Sequence, residues 1–141
     1  MNTQSKVVFT PLKRIAVDGG DVLHALKASD PEFNGFGEAY FSLIQPNFIK
    51  SWRLHKKSTL NLIVPVGAVH FVTTLDGERF EEFMLSDQAD YGRLSIEPEV
   101  WMAFQGISDR QSVVLNIMDR PHNPEDVERL DLEQMAFDWN D

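Results

Sequence analysis

Between residues 12 and 118 short apolar segments recur at close intervals, separated by Gly, Pro, Asp and Asn. Many alternate apolar with polar residues, and a period of two sends successive side chains to opposite faces of a strand. Helical periodicity is weak throughout. The pattern predicts strands over residues 12–17, 21–26, 37–44, 48–55, 60–66, 69–75, 79–85, 92–96, 100–105 and 112–118, an all-β sandwich or barrel. The clearest hairpin spans residues 69–84, where Asp76-Gly77 is expected to supply the left-handed residues of a tight turn. Asp18-Gly19-Gly20-Asp21 reads as a second turn. Glu97-Pro98-Glu99 interrupts two apolar runs, because proline cannot donate into a ladder. Residues 30–37 form a loop carrying Phe33 and Phe36, and residues 121–132 are acidic, with one helical turn expected at Pro124-Glu125-Asp126.

There is no internal repeat and no linker, so residues 1–141 are read as one domain, large enough to bury a core without staples. Residues 1–10 are a candidate N-terminal arm. Its apolar Val7, Val8 and Phe9, with Leu12, need cover. Cysteine is absent, which excludes disulfides and thiolate chemistry. No apolar run has the length of a signal or a membrane span, and the expectation is a soluble, cytoplasmic protein with no membrane contact.

The net charge of −9 would repel phosphate backbones over most of the surface, so nucleic acid is excluded as a partner. A small anion needs only a local basic pocket. Residues 49–58, Ile-Lys-Ser-Trp-Arg-Leu-His-Lys-Lys-Ser, gather four of the thirteen Lys and Arg and one of the four His. In a regular strand Ser51, Arg53, His55 and Lys57 share one face, while Lys50, Trp52, Leu54 and Lys56 share the other. That face is a candidate ligand floor. The alternative is an edge strand whose charges block pairing with other chains.

The histidines at 24, 55, 70 and 122 are too scattered to form a metal motif, and the position two before His55 is Arg53, which offers no lone pair. No metal and no cofactor is expected. His24, His70 and His122 read as satisfied or exposed side chains. Nucleophile elbow, P-loop and dinucleotide fingerprints are missing, and Glu81-Glu82 or Glu97/Glu99 fit solvated surface better than a glycosidase pair.

Three segments, Gly37-Glu38-Ala39-Tyr40-Phe41, Ile49-Lys50-Ser51-Trp52-Arg53-Leu54-His55-Lys56-Lys57 and Ile96-Glu97-Pro98-Glu99-Val100-Trp101-Met102-Ala103-Phe104, resemble the dTDP-4-dehydrorhamnose 3,5-epimerase family and its 3,4-ketoisomerase relatives. Asp30-Pro31-Glu32-Phe33-Asn34-Gly35-Phe36-Gly37, Asn123-Pro124-Glu125-Asp126 and the closing Asp138-Trp139 are similar to shorter members. The resemblance spans about residues 12–139. It implies a cupin-type jelly roll with a short irregular or helical C-terminal segment, a homodimer with crossed N-terminal strands, and a dTDP-linked 4-keto-6-deoxy sugar as ligand.

Several matched positions depart from the family pattern. The first of two family histidines falls on Arg53, a later histidine on Met102, the epimerase tyrosine acid on Asn116, and a family lysine near Leu60. Lys50 matches a basic residue toward the diphosphate and His55 the second histidine. By this resemblance His55 is the candidate catalytic residue, and Lys50, Arg53, Trp101 and Met102, with Asn61 and Asn116 as hydrogen-bonders, are candidate substrate-binding residues. Lys50 and His55 would face opposite ways on a regular strand, unless a bulge intervenes.

The expected function is therefore a nucleotide-sugar epimerase or isomerase of carbohydrate or polysaccharide biosynthesis, with an atypical proton-transfer set. The alternative is a cupin that binds a sugar nucleotide or similar anion without catalysis, favoured by Arg53 in place of a base. A metal-dependent cupin is a third reading.

Overall fold

A computed structural model describes residues 5–140 of the chain. Strands dominate: β1 (Val7–Pro11), β2 (Arg14–Ile15), β3 (Val22–Leu23), β4 (Glu38–Ile44), β5 (Ile49–His55), β6 (Leu60–Val66), β7 (Ala68–Thr74), β8 (Phe80–Ser86), β9 (Gly92–Ile96), β10 (Trp101–Gly106), β11 (Ser112–Met118) and β12 (Val127–Arg129). Two five-stranded antiparallel sheets, ordered β1-β9-β6-β11-β4 and β12-β5-β10-β7-β8, pack face to face as a jelly roll. The core between them includes Leu62, Val64, Phe71, Leu85, Leu94, Met102 and Val114. On β6 and β9 the inward Leu62 and Leu94 alternate with the polar Asn61, Arg93 and Ser95, as strands that meet the core with one face require.

The predicted strands appear with small shifts, and three details differ from expectation. Segments 12–17 and 21–26 shrink to a two-residue ribbon, β2 with β3, closed by an Arg14–Asp21 ion pair of 2.9 Å. The hairpin turn after β7 is longer than two residues, and of Asp76 and Gly77 only Gly77 has positive φ, at 77°. Asp76 instead closes the loop through its side chain, whose Oδ1 accepts from Glu78 N (2.8 Å) and Arg79 N (3.0 Å). Two short strands lay outside the predicted set. β12 is brief and charged, and β1, within the expected N-terminal arm, pairs β9 of its own chain. The predicted helical turn is a 3₁₀ turn over Pro124–Asp126, capped by Asn123.

The two outer faces differ. Over the β5-β10-β7 face the C-terminal tail lays Leu130, Leu132, Met135, Phe137 and Trp139 against Trp52, Val72 and Ala103. The outer face of β4 and β11 carries Phe41 (67% exposed) and Leu43, which stand opposite Leu115 and Val113. Under the 24–34 segment the Arg93 guanidinium is buried. It donates to Ala25 O (2.7 Å) and pairs with Asp30 (3.3 Å) and Glu32 (2.8 Å). Removing one partner of a buried ion pair strands the others, so Arg93→Ala should lower unfolding free energy by about 3–5 kcal/mol in urea denaturation. A loss under about 1 kcal/mol would show that this segment is held by other contacts.

Candidate active site

One extra residue in β5 builds the site. Against β10, Arg53 pairs with Met102 and Lys50 with Phe104, so Ser51 and Trp52 together face the single residue Ala103. Such a bulge shifts side-chain parity by one. Lys50, Arg53 and His55 consequently line the same interior cavity, which a regular strand forbids. Trp52 turns outward with no solvent exposure, its ring 5.9 Å from Phe80 and 6.1 Å from Trp139. The tail also holds the bulge by its backbone, since Ser51 Oγ donates to Leu130 O (2.7 Å) and Leu130 N donates to Trp52 O (3.1 Å).

The cavity encloses about 50 Å³ between the sheets. Besides the β5 residues it is lined by Tyr40 and Ser42 of β4, Leu60 and Leu62 of β6, Met102 and Phe104 of β10, and Val114 and Asn116 of β11. Lys50 Nζ is tethered at the rim, donating to Ser42 Oγ (2.9 Å) and Leu43 O (2.8 Å). Arg53 is exposed there, and among the described residues it has no ion-pair partner. Asn116 Nδ2 donates to Tyr40 Oη (3.2 Å), while Asn116 Oδ1 is buried and, among the described residues, without a partner.

Burial holds the His55 imidazole below the usual histidine range. The Asp126 carboxylate opposes this, and the charges of His122, Arg53 and Arg129 push further down. His55 is therefore neutral at pH 7 and able to accept a proton. Burial, then the Arg53 charge, likewise lowers the Lys50 ammonium.

Of the residues expected at the site, Lys50, Arg53, His55, Met102 and Asn116 meet in this cavity, and Asn61 and Trp101 do not. Strand parity is the cause. Asn61 alternates with the inward Leu60 and Leu62, and on the outer side it donates to Glu32 O (3.3 Å) and accepts from Ser95 Oγ (2.5 Å). Trp101 precedes the inward Met102 and packs in the outer cluster under the tail. Lys56 and Lys57 lie past the end of β5, beside an open cleft of about 650 Å³ that Arg120 and His122 also line. Tyr40 and Ser42 were not singled out from sequence. Alternation along Glu38–Ile44 does put them on one face, but says nothing of which face meets a site.

The other histidines have separate places. His70 Nε2 meets Glu82 Oε1 at 3.0 Å under Phe137 and Trp139, and His24 sits on the loop after β3. Among the described residues no group of three or more His, Asp or Glu is placed to hold a metal.

Comparison with solved structures gives a dTDP-sugar isomerase from Desulfovibrio desulfuricans G20, 34% identical, with a TM-score of 0.88 over 94% of this chain and 90% of that one. The chain belongs to the dTDP-sugar isomerase and epimerase family of cupins. More distant family members share the fold. A sugar 3,4-ketoisomerase from Thermoanaerobacterium thermosaccharolyticum in complex with TDP is 20% identical, with a TM-score of 0.76 over 91% of this chain and 90% of that one. A dTDP-6-deoxy-D-glucose-3,5-epimerase from Legionella pneumophila Philadelphia 1 in complex with dTDP-4-keto-L-rhamnose is 17% identical, with a TM-score of 0.82 over 99% and 82%. No protein-family model matches the chain, and no curated protein matches it.

The electrostatics of this family member can be checked directly. In ¹H NMR titration the His55 ring protons should report a pKa below the usual 6.5, and Arg53→Ala should move it upward by removing a neighbouring cation. A wild-type value at or above 6.5 would contradict the burial described.

Proposed function

We propose that the protein is an isomerase of a dTDP-linked 4-keto-6-deoxy sugar, with His55 as the base. The observation that carries this reading is a neutral, buried imidazole beside a guanidinium in the interior cavity of a family whose 34%-identical member is a dTDP-sugar isomerase. A base must be free of its proton to take one from carbon, and burial provides that. Arg53 stays protonated, so its part is to stabilise the enolate oxygen. The enclosed space is smaller than the roughly 300 Å³ at which ligand pockets begin, so it receives the reacting edge of the sugar. The diphosphate then lies outward, against Lys50 and Arg53.

The non-catalytic alternative rested on Arg53 standing where a base is expected. His55, two residues on and held neutral, makes a base at position 53 unnecessary. This favours the enzyme. No cofactor enters the scheme, because abstraction of a proton next to a ketone needs only a base and a stabilised oxyanion. The reading extends to a cytoplasmic role in carbohydrate or polysaccharide biosynthesis.

With dTDP-4-keto-6-deoxyglucose in D₂O, wild-type protein should convert the sugar with solvent deuterium entering next to the ketone. His55→Asn should reduce this at least about 10²-fold. As pH falls the rate should hold to about 6.5 and decline only below, because the lowered pKa keeps the imidazole unprotonated until then. Loss of a charge-assisted contact in Arg53→Ala should weaken dTDP binding by about 1.5–3 kcal/mol, tenfold or more in Kd by calorimetry. Undiminished exchange in His55→Asn would place the base elsewhere.

The homodimer is proposed through the apolar outer face of β4 and β11, where Phe41, Leu43, Val113 and Leu115 form one patch. Light scattering at micromolar concentration should show a dimer for the wild type and a monomer for Phe41→Asp. A wild-type monomer would remove the dimer.

A further inference from the structure

Two lysines of the basic run take no part in the interior cavity. Lys56 and Lys57 follow the last residue of β5, and with Ser58 they form one wall of the open cleft of about 650 Å³. Residues 120–126 form the other wall and bring Arg120 and His122 to the same cleft. Lys57 and Arg120 have no ion-pair partner among the described residues, and Lys56 reaches only Glu128, at 3.9 Å. Two carboxylates line the cleft as well. Asp126 joins the walls, its Oδ2 accepting from Lys57 N (3.3 Å) and Ser58 Oγ (3.4 Å), and Glu125 lies on the exposed 3₁₀ turn. Cations still outnumber acids there, in a chain whose net charge is −9.

The protein itself fixes both walls. Lys56 N donates to Asp126 O (2.9 Å), and His122 N donates to Glu38 Oε1 (2.7 Å). Pro121 and Pro124 restrict the loop between them. A side chain at position 37 would collide with the Arg120 backbone, so Gly37 is required to hold Arg120 where it stands. A preformed cleft of this volume suits a small molecule, and fixed cations suit a phosphate. The 120–126 wall also touches the β5 base, because Val127, next to Asp126, pairs with His55 across β12 and β5.

We propose that this cleft binds the phosphate group of a small molecule, free phosphate or a phosphate ester, and that the bound charge acts on His55 across the shared wall. Lys50 stands at the start of β5 and Lys57 beyond its end, so the cleft is separate from the cation rim of the interior cavity. Lys57, Arg120 and His122 take the phosphate oxygens, and the two prolines offer apolar surface to the organic part of an ester. The charged groups acting on His55 are Asp126 and His122 of this wall, Arg53 of its own strand and Arg129 of β12. A phosphate beside His122 adds negative charge within the same reach, which favours the imidazolium and raises the His55 pKa. Resting on the isomerase reading above, an occupied cleft then slows the enzyme, most at low pH, because a protonated imidazole takes no proton.

The test is titration with inorganic phosphate and with glucose 1-phosphate at constant ionic strength, read on the ring protons of His122 and His55 by ¹H NMR. Both series should saturate at His122, and the His55 midpoint should rise on saturation. Lys57→Ala and Arg120→Ala remove exposed side chains, and each should weaken binding by about tenfold, the loss of one charge-assisted contact. Arg53→Ala should leave this binding unchanged. Tighter binding of glucose 1-phosphate supports the site and assigns it to an ester, whereas equal affinity supports it and assigns it to free phosphate. Shifts that never saturate and fade with added salt overturn the site, as does saturable binding unaltered in both cleft variants. Saturation that leaves the His55 midpoint in place overturns the action on the base. Inactivity of the wild type on dTDP-4-keto-6-deoxyglucose would sink the isomerase reading while the binding readout still decides the cleft.

Discussion

The site depends on one residue inserted into β5. Without the bulge at Ser51 and Trp52, alternation would send Lys50 to the outer face and leave Arg53 and His55 alone in the cavity. Two forces hold it in place. Trp52 is fully buried on the outer side among Phe80 and Trp139, and both bulge residues hydrogen-bond to the backbone of Leu130. The C-terminal tail thus covers apolar surface and also fixes the parity of the strand that carries Lys50, Arg53 and His55. Slipping it back by one residue would bury a lysine against the tail, and an unpaired buried ammonium is far too costly.

The same cavity solves an electrostatic problem. If the ligand is the proposed dTDP sugar, a chain of net charge −9 must meet a diphosphate, and cations gathered on one strand would provide attraction at that point while the rest of the surface repels. Those cations also act on the base. Arg53 lowers both the Lys50 ammonium and the His55 imidazole, adding to burial, so the groove that attracts an anion keeps its imidazole unprotonated. Under the proposed function, Arg53 in a family position for histidine is a change of role within the site, with His55 serving as the base.

Much of this was legible in the sequence, and the failures have physical causes. Alternation and turn chemistry located the main strands because a two-sheet core forces apolar residues inward on every strand. The Ile49–His55 strand announced itself by charge. Parity was the weak point. Sequence could state that Lys50 and His55 conflict on a regular strand, but not that the tail's contacts with Ser51 and Trp52 impose a bulge. For the same reason Asn61 and Trp101 looked like site residues although they face outward, on strands whose inward set is Leu60, Leu62 and Met102. Tyr40 lay in plain view inside a matched segment. Its meaning appears only when β4 pairs with β11, since its partner Asn116 lies 76 residues along the chain.

Because the bulge places Lys50, Arg53 and His55 in one groove, a single ligand is expected to touch all three. A crystal structure of the protein with a dTDP-linked 4-keto-6-deoxy sugar bound is the sharpest test. Phosphate oxygens should lie against Lys50 or Arg53 and the reacting edge of the sugar against His55 and Tyr40. A ligand seated instead in the open cleft of Lys57, Arg120 and His122, with His55 untouched, would contradict it.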